Sequence, residues 1–258
     1  MTIVSAVKTR DCLVMGTDSL STQITSDAKG QINVVKSYSH TPKLFELTNR
    51  PIGISTWGVG NIDNRSIGGL VSEFSDSLTQ QTHTTVQAVA TQLCTFINLL
   101  YSKSFSNIAI DKQPILGFFV GGYSNTSPLA EMWVVRFPMT ANSCAQLIAP
   151  QYFGATWEGV PLPFYRLQKG IDSRITDKLK QLGVLQQEID QATQGMESSV
   201  IFDSMPVKQA IDYCKFILNT TIGFSQFEVG VPVCGEPLQV AFITQKGFKW
   251  VEELTYHW

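Results

Sequence analysis

Two stretches, Thr2-Ile3-Val4-Ser5-Ala6-Val7 and Cys12-Leu13-Val14-Met15-Gly16-Thr17-Asp18-Ser19, decide how this chain is read. Both are rich in β-branched and apolar residues. The polar tripeptide Thr9-Arg10-Asp11 lies between them, so the first residues are predicted to form a β-hairpin. Outward from that hairpin, residues 19–42 are mostly polar and read as an extended excursion, with a turn at Asp27-Ala28-Lys29-Gly30 before the β-branched run Ile32–Val35. Lys43-Leu44-Phe45-Glu46-Leu47 alternates as a strand does. Pro51-Ile52-Gly53-Ile54-Ser55-Thr56 makes another and runs into Trp57-Gly58-Val59-Gly60.

Helical spacing then replaces the period of two. Ile67, Leu70, Val71, Phe74 and Leu78 share one face, as do Val86, Val89, Ala90, Leu93, Ile97 and Leu100, with a break near Gln81–His83. Strands are predicted again at Ile115–Val120, Met132–Phe137 and Ala145–Ala149. A helical region follows from Leu162 to Leu182, then a polar segment to Gly195, then an amphipathic helix carrying Val207, Ala210, Ile211, Cys214, Ile217 and Leu218. Two closing strands, Leu238–Thr244 and Phe248–Leu254, flank the turn Gln245-Lys246-Gly247. Antiparallel hairpins with helices gathered in pairs predict an α+β fold, sheets covered by helical layers, instead of a wound βαβ sheet. With no linker, composition break or internal repeat, one domain over residues 1–258 is expected.

Composition narrows the function classes. The 258 residues are 43% hydrophobic and 16% charged, enough apolar material to bury a sizeable core and to exclude a disordered chain. Lysine and arginine total 19 against 21 acids, so no basic excess exists to neutralise a phosphate backbone, and a nucleic-acid partner is not expected. The five cysteines are scattered without a paired motif and read as small buried hydrophobes in a reducing compartment. Charge arrives by Lys8 with no apolar stretch before it, unlike a signal peptide. The uncharged run Gln113–Ala130 is broken by Gly, Ser, Asn and Pro and makes a poor membrane span. A cytoplasmic protein is expected, with no membrane partner.

Common catalytic motifs are missing from the sequence, and His40, His83 and His257 are too few and too polar in setting for a metal cluster or a His-dependent triad. What remains is Thr2. Removal of Met1 would leave a residue carrying both a hydroxyl nucleophile and a free α-amine. That amine titrates near 7.7–8.0 in model peptides, about the working pH of a base.

The segment Thr2-Ile3-Val4 … Val14-Met15-Gly16-Thr17-Asp18-Ser19 resembles the opening of proteasome β-subunits and of the HslV-type and Anbu-type peptidases, which are N-terminal-nucleophile hydrolases. The resemblance continues at Lys43-Leu44-Phe45-Glu46-Leu47, at Ser55-Thr56-Trp57-Gly58-Val59-Gly60 and at Gly235–Thr244. It implies a four-layer αββα sandwich and threonine-type hydrolysis of a peptide or unfolded polypeptide, without metal or organic cofactor. It also implies a homo-oligomer, ring or related assembly, and leaves open an ATPase partner. By position it makes Thr2 the nucleophile, Lys43 the buried cation beside it, Asp18 the carboxylate that holds the lysine, and the Gly58 N–H the oxyanion donor, where a side chain would crowd the developing charge. Thr41, Thr56 and Gly60 become pocket walls by the same analogy.

Several positions depart from the family pattern. About ten polar residues are inserted between Asp18 and Lys43, which makes Lys36 a rival for the lysine. Leu20 stands where many β-subunits carry arginine. The serine that supports the terminal amine would fall near Gly154-Ala155-Thr156, where Ala155 cannot serve and Thr156 is the alternative. The late acidic residue would fall near Val231–Cys234, where Glu228 or Glu236 would have to substitute. Residues 167–206 exceed the usual helix connection and are expected to be a helical surface insertion, the alternative being a gate, ring contact or docking site. Two further readings stay open. One is a catalytically silent structural subunit, although only Met1 precedes the first strand where such subunits carry an extension. The other is an amidase acting on small amides.

Overall fold

Ile3, Val4, Ala6 and Val7 are all fully buried, which alternating side chains achieve only when both faces of a strand are covered. The computed structural model, which describes residues 2–26, 32–78, 85–141 and 143–255, shows what covers them. β1 (Ile3–Lys8) and β2 (Leu13–Asp18) form the predicted hairpin, with Val7 opposite Val14. The chain leaves it as a two-stranded ribbon, β3 (Ser21–Ser26) and β4 (Ile32–Tyr38), and returns through β5 (Leu44–Glu46) and β6 (Ile52–Gly58). Short strands β7 (Asn61–Ile62) and β8 (Arg65–Ser66) lead into α1 (Ile67–Ser77) and α2 (Val86–Ser104). Four strands follow: β9 (Leu116–Gly122), β10 (Glu131–Phe137), β11 (Cys144–Ile148) and β12 (Gly154–Gly159). Helices α3 (Leu162–Lys169), α4 (Ser173–Gln181), α5 (Gln186–Thr193) and α6 (Val207–Phe227) precede the last pair, β13 (Leu238–Thr244) and β14 (Gly247–Glu252).

Two five-stranded antiparallel sheets result, ordered β12-β1-β2-β13-β14 and β11-β10-β9-β6-β5. Their side chains sort into three apolar clusters. Ile3, Val7 and Val14 meet Cys214, Ile217 and Leu218 of α6. Val4, Ala6, Leu13 and Met15 point the other way, onto Phe119, Met132 and Val134 of the second sheet. The outer face of that sheet, with Ile52, Ile54, Phe118 and Val120, packs on Leu70, Phe74, Leu93 and Ile97 of α1 and α2. Both helices start at side-chain caps, Ser66 accepting from the Gly69 N–H and Thr85 from the Ala88 N–H. The described residues therefore form a mixed α+β fold with antiparallel sheets and six α-helices, none long and apolar enough to cross a membrane.

Most predicted elements stand within a residue or two of their places. Four strands carry no sequence signal: β3 within the polar excursion, the two-residue strands β7 and β8, and β12. β12 has half-exposed residues along nearly its whole length, so it shows neither alternation nor an apolar run. The excursion is a paired ribbon; its predicted turn at 27–30, like the helix break at 81–83, lies outside the described residues. The region from Leu162 to Gly195 divides into three short helices, interrupted by Gly170 and Gly183 with φ of 69° and 86°. Much of residues 167–206 is exposed. Gln168 ties the segment back, donating to the Ser198 carbonyl at 2.6 Å and accepting from the Tyr213 hydroxyl at 2.8 Å. Cys12, Cys94, Cys214 and Cys234 are buried and Cys144 partly so; burial pushes the Cys214 thiol up to about 12, where it is inert.

Candidate active site

Strand ends build the site. Thr2 immediately precedes β1, Asp18 ends β2, Lys43 immediately precedes β5, and Gly58 ends β6. Residues far apart in sequence and drawn from both sheets are thereby brought to one place. Thr2, Lys43 and Gly58 line one cavity of about 470 Å³, and Thr41, Thr56 and Gly60 line it too. Asp18, fully buried, stands behind Lys43. Lys36 is exposed and stacks its ammonium 4.9 Å from the Tyr38 ring, so it is not the lysine at the cavity.

The Asp18 carboxylate organises the local backbone. Its Oδ1 accepts from the Ile3 N–H at 3.1 Å and from Lys43 Nζ at 3.0 Å, so a single oxygen joins the residue after Thr2 to the lysine. Its Oδ2 accepts from the N–H groups of Leu20 at 3.2 Å and Gly235 at 3.0 Å. Lys43 Nζ also donates to the Leu20 carbonyl at 2.6 Å. Neither side chain behaves as it would on a surface edge or in a turn: Lys43 is only 6% exposed. Burial pushes the Lys43 ammonium down and the Asp18 carboxyl up, while each charge opposes the shift of the other.

The remaining residues are placed less simply. Gly58 has φ of 100°, and a Cβ there would sit 2.1 Å from the Ile115 carbonyl oxygen. Glycine is therefore demanded by the backbone and by the close approach of the chain entering β9, a constraint separate from crowding of a developing charge. The Thr56 hydroxyl donates to the Gly117 carbonyl at 3.1 Å, so its polar end is engaged within its own sheet. At Gly60 nothing lies within 4 Å of an added Cβ.

Two sequence expectations about the surroundings of Thr2 fail. Ala155 pairs with Val7, at the far end of β1 and about 16 Å along the strand from Thr2. The residue that pairs with Ile3 is Gly159, with φ of 93° and an added Cβ only 1.9 Å from the Thr2 carbonyl oxygen. The error came from the undetected strand β12: without its register, Gly154-Ala155-Thr156 could not be aligned with β1. Nor does an acid occupy the later position, because Glu228 and Glu236 are both exposed and Glu228 acts on Arg174. The buried residue beside Asp18 and Lys43 is Cys234, its thiol pushed up to about 11 by burial. Sequence reading also missed Gln239, 3% exposed, whose Oε1 accepts the Lys43 backbone N–H at 2.7 Å. Its signal was present as one amide within the apolar run Leu238-Gln239-Val240-Ala241.

No protein-family model matches this chain, and no curated protein does. Solved structures do. The chain is similar to Anbu (ancestral beta-subunit) from Yersinia bercovieri, with a TM-score of 0.53 and 14% identity over 97% of this chain and 87% of the other. A structure described as the helical assembly of the Anbu complex from Pseudomonas aeruginosa gives a TM-score of 0.53 and 15% identity, covering 94% and 81%. An Anbu variant from Hyphomicrobium sp. strain MC1 gives 0.53 and 11%, covering 98% and 86%. At such identities the likeness is one of fold, and it extends over nearly the whole chain.

Proposed function

We propose that this chain is an N-terminal-nucleophile hydrolase that cleaves peptide bonds with Thr2 once Met1 has been removed. The observation that carries this reading is Asp18 Oδ1, which holds both the Ile3 N–H and Lys43 Nζ beside a cavity lined by Thr2. Thr2 Oγ1 attacks the carbonyl carbon of the substrate. Its proton passes to the α-amine and then to the departing amine as the C–N bond breaks, leaving an ester on Thr2. Water attacks that ester, the amine takes its proton, and the Thr2 hydroxyl is restored. Lys43 spends two of its three N–H donors on Asp18 and Leu20 and offers the third to the Thr2 oxygen, favouring alkoxide character. The Gly58 N–H is assigned to the developing oxyanion.

Lys43 carries the only ionisable side chain among the described residues lining the cavity, whose apolar walls include Leu20, Phe45, Val59 and Ile67. An uncharged substrate side chain fits that lining. The three apolar clusters support the finer architecture, a four-layer αββα sandwich of one domain over 1–258, with α6 on one outer face and α1 and α2 on the other. A homo-oligomer accords with the helical assembly described for the Pseudomonas aeruginosa protein.

The test is intact mass spectrometry of the purified protein with and without an epoxyketone, which cyclises only on a residue bearing both a hydroxyl and a free adjacent amine. Loss of Met1 and one adduct are expected, with the adduct abolished by Thr2→Ala. Retained Met1 with no adduct overturns the proposal. An adduct accompanied by turnover of small amides but not of peptides reassigns the substrate.

A further inference from the structure

Lys43 lies at the open edge of a sheet, where a chain is ordinarily least constrained. β5 is a three-residue strand at the end of its sheet, paired among the described residues only with β6. One side of Lys43 is fixed there, its carbonyl accepting the Thr56 N–H at 2.9 Å. The other side carries backbone donors and acceptors that no strand satisfies, and buried groups of that kind cost stability when left unpaired. A single side chain from the opposite sheet meets them. Gln239 Oε1 accepts from the N–H groups of Lys43 at 2.7 Å and Leu44 at 3.4 Å, and its Nε2 donates to the Leu44 carbonyl at 3.3 Å. The carboxamide thus imitates one rung of a neighbouring strand.

Its place in the first sheet ties this rung to the ion pair. Gln239 lies opposite Thr17 in the β13–β2 register, and Leu238 lies opposite Asp18. One small patch of the first sheet therefore holds Lys43 twice: Asp18 grips the ammonium and Gln239 the backbone at its root. Alternation along β13 and β2 turns Gln239 and Thr17 into the layer between the sheets, with Ala241, Leu13 and Met15. The Thr17 and Ser55 hydroxyls are buried without a partner among the described residues, so the ladder bonds of Gln239 lie in a polar seam within an otherwise apolar layer.

We propose that Gln239 is a positioning residue that fixes Lys43 against Thr2 by clamping the backbone of Lys43 and Leu44. The inference rests on the hydrolase reading, but it concerns the lysine first and turnover second. A neutral amide suits the task. It supplies a donor and an acceptor together and adds no second anion to compete with Asp18 for the ammonium. Displacement of a positioned group by about 1 Å costs roughly 100-fold in rate.

Gln239→Leu and Gln239→Glu separate the possibilities in the full-length protein. With 13Cε-labelled lysine, the Lys43 resonance is identified by its loss in Lys43→Arg and titrated in each variant. Gln239→Leu is expected to shift and broaden it. Gln239→Glu is expected to raise its titration midpoint, because a carboxylate joins Asp18 and the Cys234 thiol around the ammonium. Acylation by a peptide substrate, counted per epoxyketone-reactive site, is expected to fall 10- to 100-fold in kcat with little change in KM for Gln239→Leu. An unchanged Lys43 resonance in both variants overturns the proposal whether or not the protein turns over peptides. A resonance that moves in a protein with no adduct on Thr2 overturns the hydrolase reading and leaves the clamp standing.

Discussion

Two buried lysines stand near opposite ends of β1, and their surroundings differ in how much of each ammonium the protein itself consumes. Lys8, the last residue of β1, is fully buried and donates to three carbonyl oxygens, those of Ala149 at 2.8 Å, Pro150 at 2.7 Å and Tyr152 at 2.7 Å. The Phe153 ring lies 5.1 Å from the same nitrogen. Every N–H of that ammonium is used, and the residues it binds are backbone of the loop between β11 and β12. Lys43, beside the other end of β1, is held by one carboxylate and one carbonyl and faces the cavity that Thr2 lines. Burial alone does not mark a lysine as functional. The difference lies in whether its donors are exhausted by the protein and in whether its partner is an ion that can respond to a change in charge nearby.

Removing Lys43 sets the upper limit of the contrast. Lys43→Met is expected to lower turnover about 10²- to 10⁴-fold, the range for loss of a group that assists proton movement. Losing one partner of a buried ion pair costs about 3–5 kcal/mol. Three backbone N–H groups still bind Asp18, so the lower end of that range is expected in chemical denaturation. Lys43→Met with unchanged turnover would erase the distinction between the two ends. Lys8→Met, by contrast, strands three carbonyl oxygens and is expected to cost about 3 kcal/mol of stability. Its kcat per folded molecule should stay at the parent value, measured after titrating intact sites with the epoxyketone. A loss of kcat there would mean that the loop held by Lys8 reaches the chemistry.

The same contrast explains what could be read from sequence. β1, β2 and the helical faces of α1, α2 and α6 were legible because burial leaves a periodic imprint, as at Ile67, Leu70, Val71 and Phe74. Thr2, Asp18, Lys43 and Gly58 are singled out by the family resemblance; in the fold Thr2, Lys43 and Gly58 line one cavity and Asp18 stands behind Lys43. Lys8 passed as an ordinary charge, because its partners are backbone carbonyls and any sequence supplies those. Gln239 carries no sequence signal beyond its place in a strand, since its partners are likewise backbone atoms, nearly 200 residues away in sequence. The error at Ala155 has the opposite origin. There the family pattern was applied without register, and β12 lacks the alternation that would have supplied it.

The smallest expected effect concerns the charge on Lys8. Burial pushes this group down from its ordinary 10.5 to about 8, against the pull of Glu131. Between those two values the folded protein binds fewer protons at Lys8 than the unfolded chain does. Stability should therefore rise with pH across that window and show no such gain below about 8, where both states are protonated. The comparison with Lys8→Met isolates the effect, because the variant cannot titrate at this position. The urea midpoint of the parent should move upward relative to that of Lys8→Met between pH 7.5 and 9.5, both chosen to bracket the folded-state value. Burial pushes Lys43 down too, but its opposing carboxylate, Asp18, is hydrogen-bonded directly to the ammonium. A midpoint difference that stays constant or shrinks with rising pH would show that the three carbonyl oxygens keep Lys8 charged. The lysine at the closed end of the sheet would then be as firmly cationic as the reading requires of the one at the cavity.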